Sequence, residues 1–270
     1  MDTKFESFRP SIEKIINNGT IKEFVRDRIL LDTGPQLVDR FGLEPPESLL
    51  LYFAGVHFNN PGISYKEEIL GAARELMGEL AHEIPSGENT FDYVNGLGFL
   101  LEQGKDKQSC PIALDLLLSK GSPSITPPYF SLAGEARLLN VFAMNYDSAL
   151  PQERKDQAKD LFLRYITNGN IHYDLVQNAF YALFRLDYRA AIKMLPQVFN
   201  QTTPNNFAGV AWNMVVLGTD SDRDLLAHEL VTLEPRNIDY FMKALRHSSA
   251  EFGDKITPGF RDKVRELGSI

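Results

Sequence analysis

The sequence predicts an all-α protein, an irregular α-α superhelix of stacked helical hairpins, and three observations carry that expectation. Apolar residues recur at spacings of three and four from residue 64 onward, the period of one face of a helix. The helical segments come in pairs divided by short turns of Gly, Pro, Asn and Asp. The second helix of each pair starts near 109, 151, 188, 221 and 257, at intervals of 42, 37, 33 and 36 residues, and a two-helix unit of that period marks a helical repeat. An irregular helical bundle is the alternative architecture with the same local pattern.

In chain order, the first 62 residues are an irregular helical segment expected to pack on the repeats, and residues 63–270 are the hairpin-repeat domain. Within the first part, Phe5–Asn17 and Thr20–Leu31 read as short helices, and the apolar run Leu49–Phe58 as a buried helix or a buried strand. From Ser64 to Ile84 the apolar stripe is Ile69, Ala73, Leu76, Leu80 and Ile84. Ser64 with Glu67 forms a capping box at its start, and Pro85-Ser86-Gly87 ends it. The pairs that follow are 90–103 with 109–120, 129–146 with 151–167, 171–186 with 188–200, 205–217 with 221–233, and 237–248 with 257–267. Pro151 and Pro258 stand at helix starts, where a missing N–H costs nothing.

Period, hairpin form and apolar placement over roughly 90–267 resemble HEAT and armadillo repeats. Armadillo proteins line their inner helices with asparagines that grip an extended peptide. The helix over 171–186 is apolar on nearly all sides and keeps one narrow polar line: Asp174, Gln177, Asn178, Tyr181 and Arg185. Asn95, Asn140 and Asn213 are lone amides on neighbouring first helices and align by eye with Tyr181. The resemblance implies a peptide-binding row of Asn140, Asp174, Gln177, Asn178, Tyr181, Arg185 and Asn213. Trp212 adjoins Asn213 instead of preceding it by four, a departure from the armadillo pattern. The competing reading is a set of amides bonded to neighbouring helix ends, as buried polar groups must be.

Composition narrows function further. Hydrophobic residues at 43% and charged residues at 24% are the balance of a folded chain. The lone cysteine, Cys110, excludes an intrachain disulfide. A basic start followed by an apolar stretch is missing from residues 1–10, so no Sec leader is expected and a cytoplasmic location is. No apolar run approaches the roughly 20 residues of a membrane span. The net charge is −8, and all of it sits in residues 1–135, which hold 12 Lys and Arg against 20 Asp and Glu. That balance and the lack of a dense basic cluster disfavour nucleic acid as a partner.

Catalytic signatures are missing. His57, His82, His172, His228 and His247 form no pair at three or four residues, so no metal is expected. Nucleophile elbows and phosphate loops are absent, and no cofactor is expected. The string Gly96-Leu97-Gly98-Phe99 lies in a helical pattern, where its glycines serve close helix packing. Glu68, Glu75, Glu79 and Glu83 make an acidic stripe along 64–84, either a solvated face or a dock for a basic partner. The expected function is a non-catalytic protein–protein interaction module of adaptor, inhibitor or immunity type, acting through a concave helical groove on another protein or peptide. The alternative is an enzyme on a helical-repeat scaffold, such as a glycosylase-like or other hydrolase.

Overall fold

The computed structural model describes residues 19, 21–23, 25–26, 66–80, 90–119, 132–252 and 257–268. Helix makes up 85% with no strands, so the chain is all-α over the described residues. The expectations for Phe5–Asn17, for Leu49–Phe58, for the boundary at residue 62, for the Ser64 cap and for the end of the first helix beyond residue 80 lie outside the described residues. Cα proximity divides the chain into two compact units: residues 1–121 with 126–147, and residues 122–125 with 148–270.

The first unit contains α1 (Lys66–Glu79), α2 (Thr90–Gly104), α3 (Ser109–Ser119) and α4 (Leu132–Met144). Helix α1 buries Ile69, Leu70, Ala72, Ala73, Leu76 and Met77, the face its apolar spacing defines. It packs on α2 and α3, and both of those pack on α4, so the four helices close a ring of contacts. Position 104 shows how tight this packing is: a Cβ on Gly104 would stand 2.5 Å from Leu70 Cδ2.

The turn between α2 and α3 is built from backbone bonds. Lys105 N–H donates to the Glu102 carbonyl and Asp106 N–H to the Leu101 carbonyl, at 3.0 and 3.1 Å. This is a Schellman ending, and it sets Lys105 at φ 53, where glycine is usual. The Asp106 carbonyl then accepts Ser109 N–H and Ser109 Oγ, starting α3. Asn145, just past α4, locks the turn by donating Nδ2 to the Leu101 carbonyl and to Ser109 Oγ, each at 3.0 Å.

The second unit contains α5 (Gln152–Thr167), α6 (Tyr173–Leu186), α7 (Tyr188–Lys193), α8 (Leu195–Gln201), α9 (Pro204–Leu217), α10 (Asp220–Thr232), α11 (Pro235–Phe252) and α12 (Thr257–Gly268). Helix α6 is central: it touches α5, α7, α8 and α9. The first helices α6, α9 and α11 meet in sequence, and the second helices α7, α10 and α12 do the same. An aromatic chain runs through this packing from Phe180 to Phe207, Phe199, Tyr240, Phe241 and Phe260. Leu76, Leu80, Leu161, Leu183, Phe184 and Val215, all expected in the core, are each 5% exposed or less.

One helix differs from expectation. Residues 188–200 form two short pieces, α7 and α8, separated at Met194. Pro196 explains the break: it has no N–H for the carbonyl of residue 192, and its ring clashes with a continued turn. Elsewhere caps stop and start the helices. His172 Nδ1 accepts Asp174 N–H at α6, Asp187 accepts Ala190 N–H at α7, and Thr219 with Asp222 completes a capping box at α10.

Candidate functional site

Three sets of polar residues compete for attention. The first is the polar line of α6. Asp174, Gln177, Asn178 and Arg185 are half-buried, while every residue from Ala179 to Phe184 is buried. Asp174 lies 3.4 Å from His172 Nδ1, and Asn178 Nδ2 donates to the Asp174 carbonyl of its own helix at 2.8 Å. Tyr181, central in the line, is only 4% exposed, and its ring stacks with Phe184 at 6.1 Å between centroids. It packs where the sequence expectation wanted a surface side chain. A large ring flanked by Phe180, Ala182, Leu183 and Phe184 already carried that signal. Asn213 is half-buried on α9, a helix that touches α6. Asn140 belongs to the other unit, on α4. The side chain of Asn95 lies outside the described residues.

The second set is the acidic stripe of α1. Glu68, Glu75 and Glu79 are exposed, and Glu83 lies outside the described residues. The chain itself places a cation on two of them: Lys22 Nζ sits 2.5 Å from both Glu75 Oε1 and Glu79 Oε1. Those hydrogen bonds hold the Lys22 pKa above its ordinary value. Two of the four carboxylates expected to meet a basic partner therefore already meet a lysine of the same chain.

The third set did not stand out in the sequence. Glu102, near the end of α2, is 6% exposed, and its Oε2 accepts Arg137 Nη1 of α4 at 2.7 Å. Burial pushes the Glu102 pKa up to about 7, against the pull of the Arg137 charge and hydrogen bond. Asp106 pairs with Arg74 Nη1 of α1 at 2.9 Å, and its pKa too is raised by burial. The two carboxylates are thus each answered by one arginine from a neighbouring helix. The available signal was Glu102 following Leu100 and Leu101 in an apolar stripe, with Gly98 one turn earlier.

Cys110 is fully buried, and burial drives its thiol pKa up to about 11, so it is no nucleophile near neutral pH. Among the described residues no three His, Cys, Asp or Glu side chains are grouped to hold a metal ion. Among the same residues no helix is long and apolar enough to cross a membrane. No family model matches the chain, and no curated protein or solved structure matches it either.

Proposed function

We propose that this chain is a non-catalytic, cytoplasmic protein–protein interaction module of adaptor, inhibitor or immunity type, built as a HEAT- or armadillo-like superhelix. The observation that carries the reading is the polar line of α6: Asp174, Gln177, Asn178 and Arg185 keep partial exposure on a helix that otherwise buries nearly everything. Such a line on a central helix is a surface held rigid by its own core, the arrangement that lowers the entropy cost of binding. The ordered meeting of α6, α9 and α11, and of α7, α10 and α12, supports the repeat architecture. Tyr181 is left out of the direct contact set by its burial. Asn213 remains in it; Asn140 belongs to the other unit. The partner is another protein or a peptide.

A photo-crosslinking amino acid placed at position 177 or 185, with exposed Asp156 of α5 as the control position, tests this in the native cell. Both line positions should capture one and the same protein, and the control should not. Empty lanes at 177 and 185, or the same band from 156, would remove the groove reading.

A second reading, an enzyme on the same scaffold, draws on Glu102. A buried carboxyl that titrates near neutrality is the kind of group active sites contain. Arg137 lies directly on that carboxyl, which fits a structural pair better than an acid poised for substrate.

A further inference from the structure

Met144 closes α4 on the side of that helix that stays open to water. Asn140 and Arg137, one and two turns earlier, are half-buried, and Met144 itself is 42% exposed. Its chain neighbours Val141, Phe142 and Ala143 are fully buried, and Asn145 is 1% exposed. A helix side of this kind ordinarily carries polar residues. The other described methionines are set differently. Met77 and Met214 are fully buried, Met242 is 9% exposed, and Met194 is half-buried at the break between α7 and α8. The lone thiol, Cys110, is fully buried as well. Among the described residues, Met144 is therefore the sulfur-bearing residue most open to solvent.

We propose that Met144 is a reversible oxidation site, at which a peroxide converts the thioether to the sulfoxide while the chain stays folded. The step needs hydrogen peroxide or another two-electron oxidant of that class. The sulfur lone pair attacks one peroxide oxygen, and an S–O bond forms as the O–O bond breaks. The second oxygen leaves as water, taking both peroxide protons. Sulfur loses the two electrons that the peroxide gains. Buried thioethers are reached only when the helices around them open, so their rates are cut by the free energy of opening. The same burial keeps Cys110 from competing. A sulfoxide is polar, and in a core it disrupts packing. On the exposed side of α4 the new S=O meets water instead. Methionine sulfoxide reductases reverse the change, one enzyme for each sulfoxide epimer, and an exposed site lies within their reach.

Peptide mapping by mass spectrometry after timed treatment with hydrogen peroxide tests the proposal on the full chain. The Met144 peptide should gain one oxygen at least about tenfold faster than the peptides of Met77, Met214 and Met242, a difference set by local opening. It should also react ahead of the Met194 peptide. Circular dichroism should be unchanged when Met144 is fully converted. The two reductases with a dithiol should then restore the unmodified peptide. Met144→Leu, which keeps volume and helix propensity, should remove the fast event and leave the slow ones. Met77, Met214 or Met242 keeping pace with Met144 would overturn the proposal, as would Met194 reacting first. Loss of helical signal along with Met144 conversion, or a sulfoxide that the reductases leave in place, would overturn it too.

Discussion

The stem of Arg137 occupies the space that a side chain at position 98 would need. A Cβ there would run into Arg137 Cγ and stand 3.2 Å from Val141 Cγ2. Gly98 is therefore a packing glycine, and the ion pair from Arg137 to Glu102 passes through the gap it leaves. Replacing it with alanine forces α2 and α4 apart or bends Arg137 off its rotamer, a penalty of about 1–3 kcal/mol. The better helix propensity of alanine offsets about 1 kcal/mol of that. Gly98→Ala should thus lower the urea midpoint and loosen the Glu102–Arg137 pair. The matched control is Gly209 of α9, where a Cβ meets nothing within 4 Å. Gly209→Ala should raise stability by about 0.5–1 kcal/mol. Equal and opposite effects from two glycines in two helices would isolate packing from propensity.

Lys105 holds a φ of 53 because the Schellman ending of α2 demands it. A residue with a Cβ pays roughly 1–2 kcal/mol there. Lys105→Gly should recover about 1 kcal/mol, seen as a higher melting temperature with unchanged circular dichroism. A loss would mean that the lysine side chain contributes more than its backbone costs.

The raised pKa of Glu102 fixes the sign of a pH dependence. The folded chain keeps the Glu102 proton up to about 7, and the unfolded chain releases it near the ordinary glutamate value of 4.5. Between those values the folded state binds more protons, so this group's contribution to stability falls as pH rises through the window. Asp106, also raised, acts in the same direction. Glu102→Gln should flatten the decline in stability between pH 5 and 8, as followed by urea titrations at fixed pH. A slope left intact would assign the decline to other groups.

Asp187 runs the other way. Burial raises its pKa, but the Lys159 hydrogen bond, the Ala190 and Arg189 backbone donors and the Lys159 charge together bring it below its ordinary value. Its stabilising effect is full above the unfolded pKa and fades as pH falls toward the folded one. Its carboxylate caps α7 through Ala190 N–H at 3.0 Å and meets Lys159 of α5 at 2.7 Å. Asp187→Ala should cost about 1–2 kcal/mol near neutrality, the value of a lost N-cap. Asp187→Asn should recover much of it, because an amide oxygen still accepts from Ala190.

These residues show what was legible in the sequence. Helix positions were, to within a few residues: α2 was expected at 90–103 and spans 90–104, and α6 at 171–186 and spans 173–186. Apolar spacing and Pro, Gly or Asn turns are local signals, and local signals survive in one sequence. The break at Met194 depended on one proline inside an apolar run, and the run dominated the expectation. Glu102 and Arg137 are 35 residues apart, and each alone resembles an ordinary surface charge. Their meeting is tertiary, as is the burial of Tyr181 inside a stripe that periodicity marks as polar.

Phe207 is the sharpest test of the second unit's core. It is fully buried on α9, with Phe180 of α6 and Phe199 of α8 each at 5.4 Å, Tyr240 at 6.2 Å and Phe241 at 6.3 Å, both on α11. One ring therefore joins four helices that backbone hydrogen bonds cannot connect. Phe207→Ala should cost about 3–5 kcal/mol, the transfer term plus the cavity left among rigid rings. Phe207→Leu keeps most of the volume and loses the edge contacts, each worth about 0.5–1.5 kcal/mol. Its cost should fall well below that of alanine. Denaturant unfolding of both variants gives the comparison. Should leucine cost as much as alanine, ring geometry would outweigh volume in holding α6, α8, α9 and α11 together; should both cost under about 1 kcal/mol, far below the loss usual for a buried phenylalanine, these four helices would not share one core.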